Sequence, residues 1–269
     1  MVDQNPLYAP DDPAAVECYR NAARTLKNAG LEFLVGGAYS FARYTGIARH
    51  TKDFDIFIRP ADRDRALHLL ATIGFRTEVA YEHWLAKAFH GDHFIDLIYN
   101  SGNATVPVDD GWFEHAVEAE VFGERVLLCP AEESLWSKAF IMERHRYDGA
   151  DIAHIVLAVG DHLDWVRLLN RFGRNWRVLY SHLIIFGFVY PAERTKIPAW
   201  VMRVLNARLR EELESAPPDE RVCNGTLLTT TQYLPDLELW GYRDARLGPS
   251  GTMTPKQIAE WTEGVITGR

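Results

Sequence analysis

Two aspartates interrupt an otherwise apolar β-strand pattern in the segment DFDIFI, residues 53–58. Side chains alternate between the two faces of a strand, so Asp53 and Asp55 lie on one face and the apolar Phe54 and Ile56 on the other. The two Cβ atoms are then roughly 7 Å apart, and carboxylates this close repel each other unless a cation lies between them. The pattern therefore predicts a strand whose charged face binds a hard divalent cation, usually Mg²⁺, through oxygen ligands.

A third aspartate lies inside a second strand pattern, HFIDLIYN, residues 93–100. If this strand lies beside the first, Asp96 meets Asp53 and Asp55. Such a cluster can bind two ions about 4 Å apart that clamp the attacking and leaving oxygens of a phosphoryl or nucleotidyl transfer. The alternative is that the acids face solvent from an edge strand or a one-sided sheet. Two aspartates on one strand and a third on another favour the metal site.

A glycine pair stands between an apolar strand pattern and a short predicted helix. The strand pattern LEFLVGG, residues 31–37, ends in Gly36 and Gly37, and the helix is predicted over 38–46. Bare backbone N–H groups followed by a helix N-terminus suit a phosphate group. A glycine pair on its own more often marks only a turn. Its position before the acidic strand is what suggests a role in phosphate binding.

Hydrophobic periodicity divides the chain into a mixed first half and a helical second half. Helices are predicted in the first half over residues 12–29, 38–46 and 61–73, and strands over 31–37, 53–58, 75–81, 84–90, 93–100 and 125–129. Helices dominate from Pro130 to about Ser215, over 131–146, 150–160, 164–173, 175–188 and 198–214. The remaining sequence is irregular until a short helix that Thr254 and Pro255 start.

This change of pattern predicts a domain boundary near Cys129. We expect a catalytic domain that mixes helices and strands over residues 1–129. An all-helical domain is expected over 130–215, and an irregular C-terminal extension over 216–269.

Composition and charge limit the partners of such a chain. The formal net charge of −8 argues against a surface made for non-specific nucleic-acid binding, although it does not exclude a nucleotide ligand. The three cysteines form no CxxC pair, which fits a reducing cytosol better than a disulfide scaffold. The N-terminal residues lack a signal-peptide pattern, and the apolar run 183–191 is too short to span a bilayer. We therefore expect a cytoplasmic protein without a membrane partner.

The combination of these motifs resembles a known superfamily. VGGAYSFARYTGIARHTKDFDIFI, followed by the strand acid in FIDLIY, is similar to the DNA polymerase β-like nucleotidyltransferases. The resemblance implies an α+β fold in which a mixed sheet with flanking helices is followed by an all-helical domain. It also implies that Asp53 and Asp55 bind both Mg²⁺ (or Mn²⁺) ions and that Asp96 joins one of them beside the acceptor hydroxyl. Gly36 and Gly37 would approach the triphosphate with their backbone.

One residue departs from the superfamily pattern. Many members carry serine after the first glycine, whereas Gly37 here removes that hydroxyl contact to phosphate. The glycine version resembles smaller bacterial branches, which implies a minimal nucleotidyltransferase that modifies a small molecule, RNA or a protein rather than a polymerase.

Four further side chains are candidates for contact with the triphosphate of ATP or another nucleotide: Ser40, Arg49, Lys52 and Lys138. Each has an ordinary alternative. The serine can simply cap its helix, Arg49 and Lys52 can be solvated surface cations, and Lys138 can belong to a salt-bridged helix surface.

The leading prediction is a magnesium-dependent nucleotidyltransferase that moves an NMP group from a nucleoside triphosphate to an acceptor hydroxyl and releases pyrophosphate. The sequence leaves the acceptor and the oligomeric state open. A degenerate nucleotide-binding regulatory module and a toxin–antitoxin component are the alternatives that use the same fold. A metal-dependent phosphoester hydrolase is less favoured, because no histidine or lysine base motif accompanies the acids.

Overall fold

The computed structural model describes residues 12–49, 51, 53–249 and 251–267. Contacts between Cα atoms divide the chain into two compact units. The first unit comprises the described residues up to Ser101 together with Pro107–Ser134, and the second comprises Gly102–Val106 together with the described residues from Leu135 onward. The domain boundaries expected from the sequence stay predictions, because a division by contacts does not test which parts fold independently.

The first unit holds a seven-stranded sheet and four helices among its described residues. The helices are α1 (Pro13–Asn28), α2 (Gly37–Thr45), α3 (Arg63–Thr72) and α4 (Asp110–Glu114). The strands of the sheet are β1 (Leu34–Val35), β2 (Asp53–Phe57), β3 (Arg76–Tyr81), β4 (Leu85–His90), β5 (His93–Ile98), β8 (Val117–Val121) and β9 (Glu124–Leu128), and a separate two-stranded pair is formed by β6 (Asn100–Ser101) and β7 (Val106–Pro107). Strand β8, whose sequence VEAEV was not predicted as a strand, pairs with β9 at one edge of the sheet.

The sheet is mixed, with the strand order β3-β4-β5-β2-β1-β9-β8. Strands β2 and β5 run parallel, as do β1 and β9, whereas the other neighbours are antiparallel. This arrangement confirms the predicted α+β fold with a mixed sheet. It also makes β2 and β5 direct neighbours in the interior of the sheet, as the metal-site prediction requires.

The two faces of the sheet differ as the alternation in DFDIFI predicts. Phe54 and Ile56 are buried and join the core cluster that α1 and α3 cover. Tyr19 of α1 stacks on Phe54 with 5.1 Å between the ring centroids. Burying side chains of this size stabilises the fold by roughly 1.5–3 kcal/mol each. The apolar face therefore holds the sheet in place while the opposite face carries the acids.

The second unit is mainly helical. Its helices are α6 (Gly149–Val159), α7 (Trp165–Phe172), α8 (Trp176–Val189), α9 (Ala199–Glu214), α10 (Leu234–Glu238) and α11 (Pro255–Thr267), and the short strands β10 (Val222–Cys223) and β11 (Arg243–Asp244) pair in parallel. The division between the units falls within α5 (Ala131–Ala139). Among the described residues, no helix combines the length and apolar character needed to cross a membrane.

One predicted helix is wrong over its last seven residues. The pattern predicts a helix over 131–146, but α5 ends at Ala139. Its last carbonyl groups have tertiary partners, because the carbonyl of Ala139 lies 3.0 Å from Nε2 of His182 and Asn103 donates to the carbonyl of Phe140. The following backbone then turns back on itself through a bridge between Met142 and Tyr147. These contacts come from distant parts of the chain, so helical periodicity alone could not reveal the end of the helix.

Candidate active site

The three predicted acids meet on one face of the sheet. In the parallel register of β2 and β5, Asp55 lies directly beside Asp96 and Asp53 lies beside Phe94. One carboxylate oxygen from each of the three aspartates lies within 4.8 Å of the others, and all three residues are half-buried. Neither strand is at an edge of the sheet. Three carboxylates at this spacing are a hard, oxygen-only donor set, which fits Mg²⁺ or Mn²⁺.

A lysine that the sequence analysis missed contacts this acid triad, by which we mean Asp53, Asp55 and Asp96. Lys87 of β4 lies directly opposite Asp96, and its Nζ donates to Oδ1 of that carboxylate at 2.7 Å. Burial raises the pKa of Asp96 above its ordinary value, and the bond from Lys87 offsets only part of that effect. The hairpin sequence HGDH could have predicted this ion pair. Its two-residue turn pairs His90 with His93, and the same antiparallel register places Lys87 opposite Asp96.

Asp53 has a local partner as well. The hydroxyl of Thr51 donates to Oδ1 of Asp53, which restrains the first acid of the strand. Such a bond orients the carboxylate and leaves its other oxygen for a further ligand.

The glycine pair fits tightly against the acidic strand. The N–H of Gly36 donates to the carbonyl of Asp55 at 3.0 Å. Gly37 has a positive φ of +55°, and a Cβ atom built on it would lie 1.9 Å from Oδ2 of Asp55. A Cβ atom on Gly36 would lie 2.2 Å from the ring of Phe57. Both positions therefore require glycine for steric reasons, and α2 begins at Gly37 beside the acids.

Comparison with known protein families identifies the family of this chain. The family described as "Uncharacterised nucleotidyltransferase" matches residues 19–182, which is more than half of the chain. The chain belongs to this nucleotidyltransferase family. The predicted resemblance and the predicted transferase class are thereby confirmed. The match includes the glycine pair and all three acids. No curated protein matches the chain.

Several solved structures are similar to this nucleotidyltransferase. They include the antibiotic-resistance factor ANT(2'')-Ia in solution, at 16% identity and a TM-score of 0.45, over 64% of this chain and 96% of that one. An antigenic nucleotidyltransferase-like protein from Paracoccidioides brasiliensis matches at 15% identity and a TM-score of 0.45, over 70% and 94%. The lincosamide antibiotic adenylyltransferase LnuA, bound to lincomycin, matches at 15% identity and a TM-score of 0.38, over 52% and 94%. At these values the similarities carry no conclusion about the substrate of this nucleotidyltransferase.

The candidate phosphate contacts near the acids have diverse surroundings. The hydroxyl of Ser40 donates to the carbonyl of Gly37 at 3.3 Å, which is a bond within α2. The guanidinium of Arg49 lies over the ring of Phe41, with its Cζ 4.5 Å from the ring centroid. Lys52 lies outside the described residues. Nucleotide contacts by these three side chains stay predictions.

Lys138 lies in a cluster of its own in the second unit. Its Nζ donates to Asp148 at 3.1 Å and to Asp151 at 2.7 Å, while Arg146 donates to both oxygens of Asp148 at 3.1 Å. Burial raises the pKa of Asp148, but the bonds from Arg146 and Lys138 outweigh it and lower the pKa below its ordinary value. The ammonium of Lys138 thus already has two carboxylate partners, and its predicted contact with the triphosphate stays a prediction.

The second unit also contains an open cavity of about 570 Å³. Its lining is mainly apolar and comes from the segment between Leu234 and Ile266, with Glu238 and Glu263 at its sides. None of the predicted site residues lines this cavity.

Proposed function

We propose that this protein is a magnesium-dependent nucleotidyltransferase that moves an NMP group from a nucleoside triphosphate to an acceptor hydroxyl and releases pyrophosphate. The observation that carries the proposal is the acid triad, in which three carboxylates on neighbouring interior strands bring one oxygen each within 4.8 Å of the others. Like charges this close are unfavourable unless cations neutralise them. A member of a nucleotidyltransferase family has a direct use for this arrangement.

In the proposed site, Asp53 and Asp55 hold both metal ions and Asp96 joins one of them beside the acceptor hydroxyl. When bound, the ions supply charge neutralisation for the triphosphate and the attacking oxygen. The remaining contribution of the protein to the reaction is to position the triphosphate and the acceptor relative to each other. Gly36 and Gly37 are the proposed backbone contacts of the triphosphate, and Gly37 packs directly against the side chain of Asp55. Ser40, Arg49, Lys52 and Lys138 are further proposed contacts of the nucleotide.

The nature of the acceptor is open, because a small molecule such as an antibiotic, an RNA end and a protein hydroxyl would all use the same three acids. ATP is the nucleotide we propose to test first. The cytoplasmic location expected from the cysteine pattern belongs to the same proposal.

The test is transfer of radiolabel from each α-labelled nucleoside triphosphate, with Mg²⁺ and a cell extract as the source of acceptors. The wild type is compared with the Asp53→Asn, Asp55→Asn double variant. We expect label transfer by the wild type and a loss of about a thousandfold or more in the double variant, because the ions that neutralise the triphosphate and the attacking oxygen would lose their shared ligands.

Glu78→Gln is the matched control. Glu78 lies opposite Lys87 and shares its face of the sheet, but it forms its salt bridge with Arg76 and is not part of the triad. This variant should keep wild-type activity. Transfer that persists unchanged in the double variant would remove the acids from the mechanism. Triphosphate binding by the wild type without any label transfer would favour the regulatory-module alternative.

A further inference from the structure

Lys87 places a positive charge inside the proposed metal site. Three adjacent strands set this up, because Lys87 of β4 lies opposite Asp96 of β5, and Asp96 lies beside Asp55 of β2. The side chains of Lys87 and Asp96 are 25% and 15% exposed, so solvent screens their 2.7 Å ion pair only in part. The ammonium also lies 4.8 Å from the centroid of the Phe94 ring, which fixes its position.

Lys87 neutralises part of the negative charge of the triad that would otherwise attract a metal ion. The Nζ of Lys87 donates a hydrogen bond to Oδ1 of Asp96. The second carboxylate oxygen of Asp96 can then bind another ligand. A divalent ion that entered the triad would gain three carboxylates but would meet the ammonium at close range. The ion carries two charges, so its repulsion from Lys87 is twice that of a monovalent cation at the same distance.

We propose that Lys87 is the resident counter-ion of the acid triad. It stabilises the metal-free site, and it weakens the affinity of the triad for a free divalent ion. Tight metal binding then depends on a triphosphate, whose negative charge offsets the ammonium. Lys87 is a positioning residue in this proposal, which rests on the proposed function. The charge of Lys87 thereby couples the binding of the metal ion to the binding of the nucleotide, so that each increases the affinity of the site for the other.

Removal of Lys87 also has an effect that would weaken metal binding. Lys87 also orients Asp96, so its removal could weaken metal binding by freeing that carboxylate. The backbone already holds Asp96, because β5 is paired on both sides, with β2 and with β4. This pairing keeps the Cα–Cβ direction of Asp96 without Lys87, so we expect the loss of direct repulsion to outweigh the loss of carboxylate orientation and metal binding to become tighter.

The test measures Mn²⁺ binding by calorimetry, with and without a non-hydrolysable ATP analogue, in wild type, Lys87→Met and Lys87→Arg. We expect Lys87→Met to bind Mn²⁺ about tenfold more tightly than wild type without nucleotide, whereas Lys87→Arg keeps the charge and the wild-type affinity. The analogue should tighten Mn²⁺ binding strongly in wild type and much less in Lys87→Met. Equal or weaker Mn²⁺ binding by Lys87→Met without nucleotide would overturn the proposal.

Arg76→Met is the matched control. Arg76 lies on the same face of the sheet, over the ring of Phe89 at 4.2 Å, and it pairs with Glu78 rather than with the triad. Its removal deletes the same charge from the same surface and should leave Mn²⁺ affinity at the wild-type value. A gain in affinity equal to that of Lys87→Met would show a general surface effect and would overturn the specific role of Lys87.

A stability measurement covers the case in which Lys87→Met folds poorly. In EDTA, the variant should unfold at a lower temperature than wild type, and the second change Asp96→Asn should restore much of the loss. Failure of Asp96→Asn to restore it would overturn the proposal. These readouts do not require catalysis, so absence of label transfer would defeat the proposed function while the Mn²⁺ comparison still decides the role of Lys87.

Discussion

The two units each contain a lysine that is bonded to aspartates, and the two clusters differ in their charge balance. Lys87 in the first unit pairs with one member of a group of three carboxylates. Lys138 in the second unit bonds to Asp148 and Asp151, and Arg146 adds a second cation. In the contacts described above, one ammonium faces three carboxylates in the first cluster, whereas an ammonium and a guanidinium face two carboxylates in the second.

The charge balance distinguishes a proposed ligand site from a cluster that stabilises the fold more clearly than the residue types do. In the first cluster, burial raises the pKa of Asp96, because the single ammonium does not fully compensate the buried charge. In the second, the bonds from Arg146 and Lys138 overcome burial and lower the pKa of Asp148. A buried acid whose pKa stays raised gains stability from a further cation, whereas an acid whose pKa is lowered already has charged partners that stabilise its ionised form.

The largest expected effect contrasts the glycines beside the two clusters. A Cβ on Gly37 would meet Asp55 at 1.9 Å with a φ of +55°, and Asp55 is held in an interior strand. A Cβ on Gly149 would meet the ring of Tyr147 at 2.1 Å, but this ring is 49% exposed and the contacted atoms are at the far end of its side chain. We expect Gly37→Ala to reduce the free energy of unfolding by about 3 kcal/mol or more, and Gly149→Ala by less than about 1 kcal/mol.

Urea unfolding followed by circular dichroism measures both variants. Gly30→Ala is the control for backbone strain alone, since Gly30 has a φ of +65° and a Cβ atom added to it would meet no other atom within 4 Å. It should lose about 1 kcal/mol. Equal losses for Gly37→Ala and Gly30→Ala would show that the contact with Asp55 relaxes easily and that the acid site is not rigid.

The sequence predicted the acid face well, because strand alternation is a local property. The positions of Asp53 and Asp55 on one face follow from period two alone. Their meeting with Asp96 depended on which strands pair, and here the resemblance to a known superfamily supplied what periodicity could not. The apolar pattern of its strand does not single out Lys87, although the two-residue turn of the hairpin indicates the register that pairs it with Asp96.

The second unit was predicted less completely for a physical reason. Helical spacing identified its helices, but the end of α5 and the partners of Lys138 depend on contacts between distant segments. Lys138 and Asp148 come together only because the chain turns between α5 and α6. Charge type and spacing suggested a triphosphate contact there, and only the tertiary arrangement shows that the ammonium already has two carboxylate partners.

The next prediction tests that arrangement. Lys138→Met leaves Asp148 and Asp151 largely buried, at 10% and 7% exposure, with Arg146 as the remaining cation. We expect a loss of about 2–3 kcal/mol in the free energy of unfolding, because two largely buried carboxylates each lose a charged hydrogen-bond donor. Lys87→Met should lose less, since its ion pair is more exposed.

Triphosphate affinity measured on the same Lys138→Met protein decides its second proposed role. Weaker binding of an ATP analogue, at temperatures where the variant remains folded, would support a direct contact with the nucleotide. Unchanged affinity would show that Lys138 does not contact the nucleotide and that its role is to stabilise the fold. Unchanged stability would contradict the charge balance inferred for this cluster.

The smallest expected effect gives opposite signs in the two clusters. Because the folded-state pKa of Asp96 is raised above its ordinary value of 3.8, its ionisation opposes folding as the pH rises through that folded-state pKa. The folded-state pKa of Asp148 is lowered from 3.8, so its contribution is fully favourable above that value and is lost as the pH falls through the folded-state pKa. At pH 7 in EDTA, Asp96→Asn should therefore stabilise the protein and Asp148→Asn should destabilise it.

Urea unfolding at pH 7 and at successively more acidic values measures both variants against wild type. Both differences should shrink toward acidic pH, because the wild-type carboxyls then become protonated and resemble the neutral amides. Addition of Mn²⁺ at pH 7 should reverse the sign for Asp96→Asn, since the variant loses a proposed ligand, and should leave Asp148→Asn unchanged. A destabilised Asp96→Asn protein in EDTA would mean that Lys87 fully compensates this acid and that the two clusters are alike.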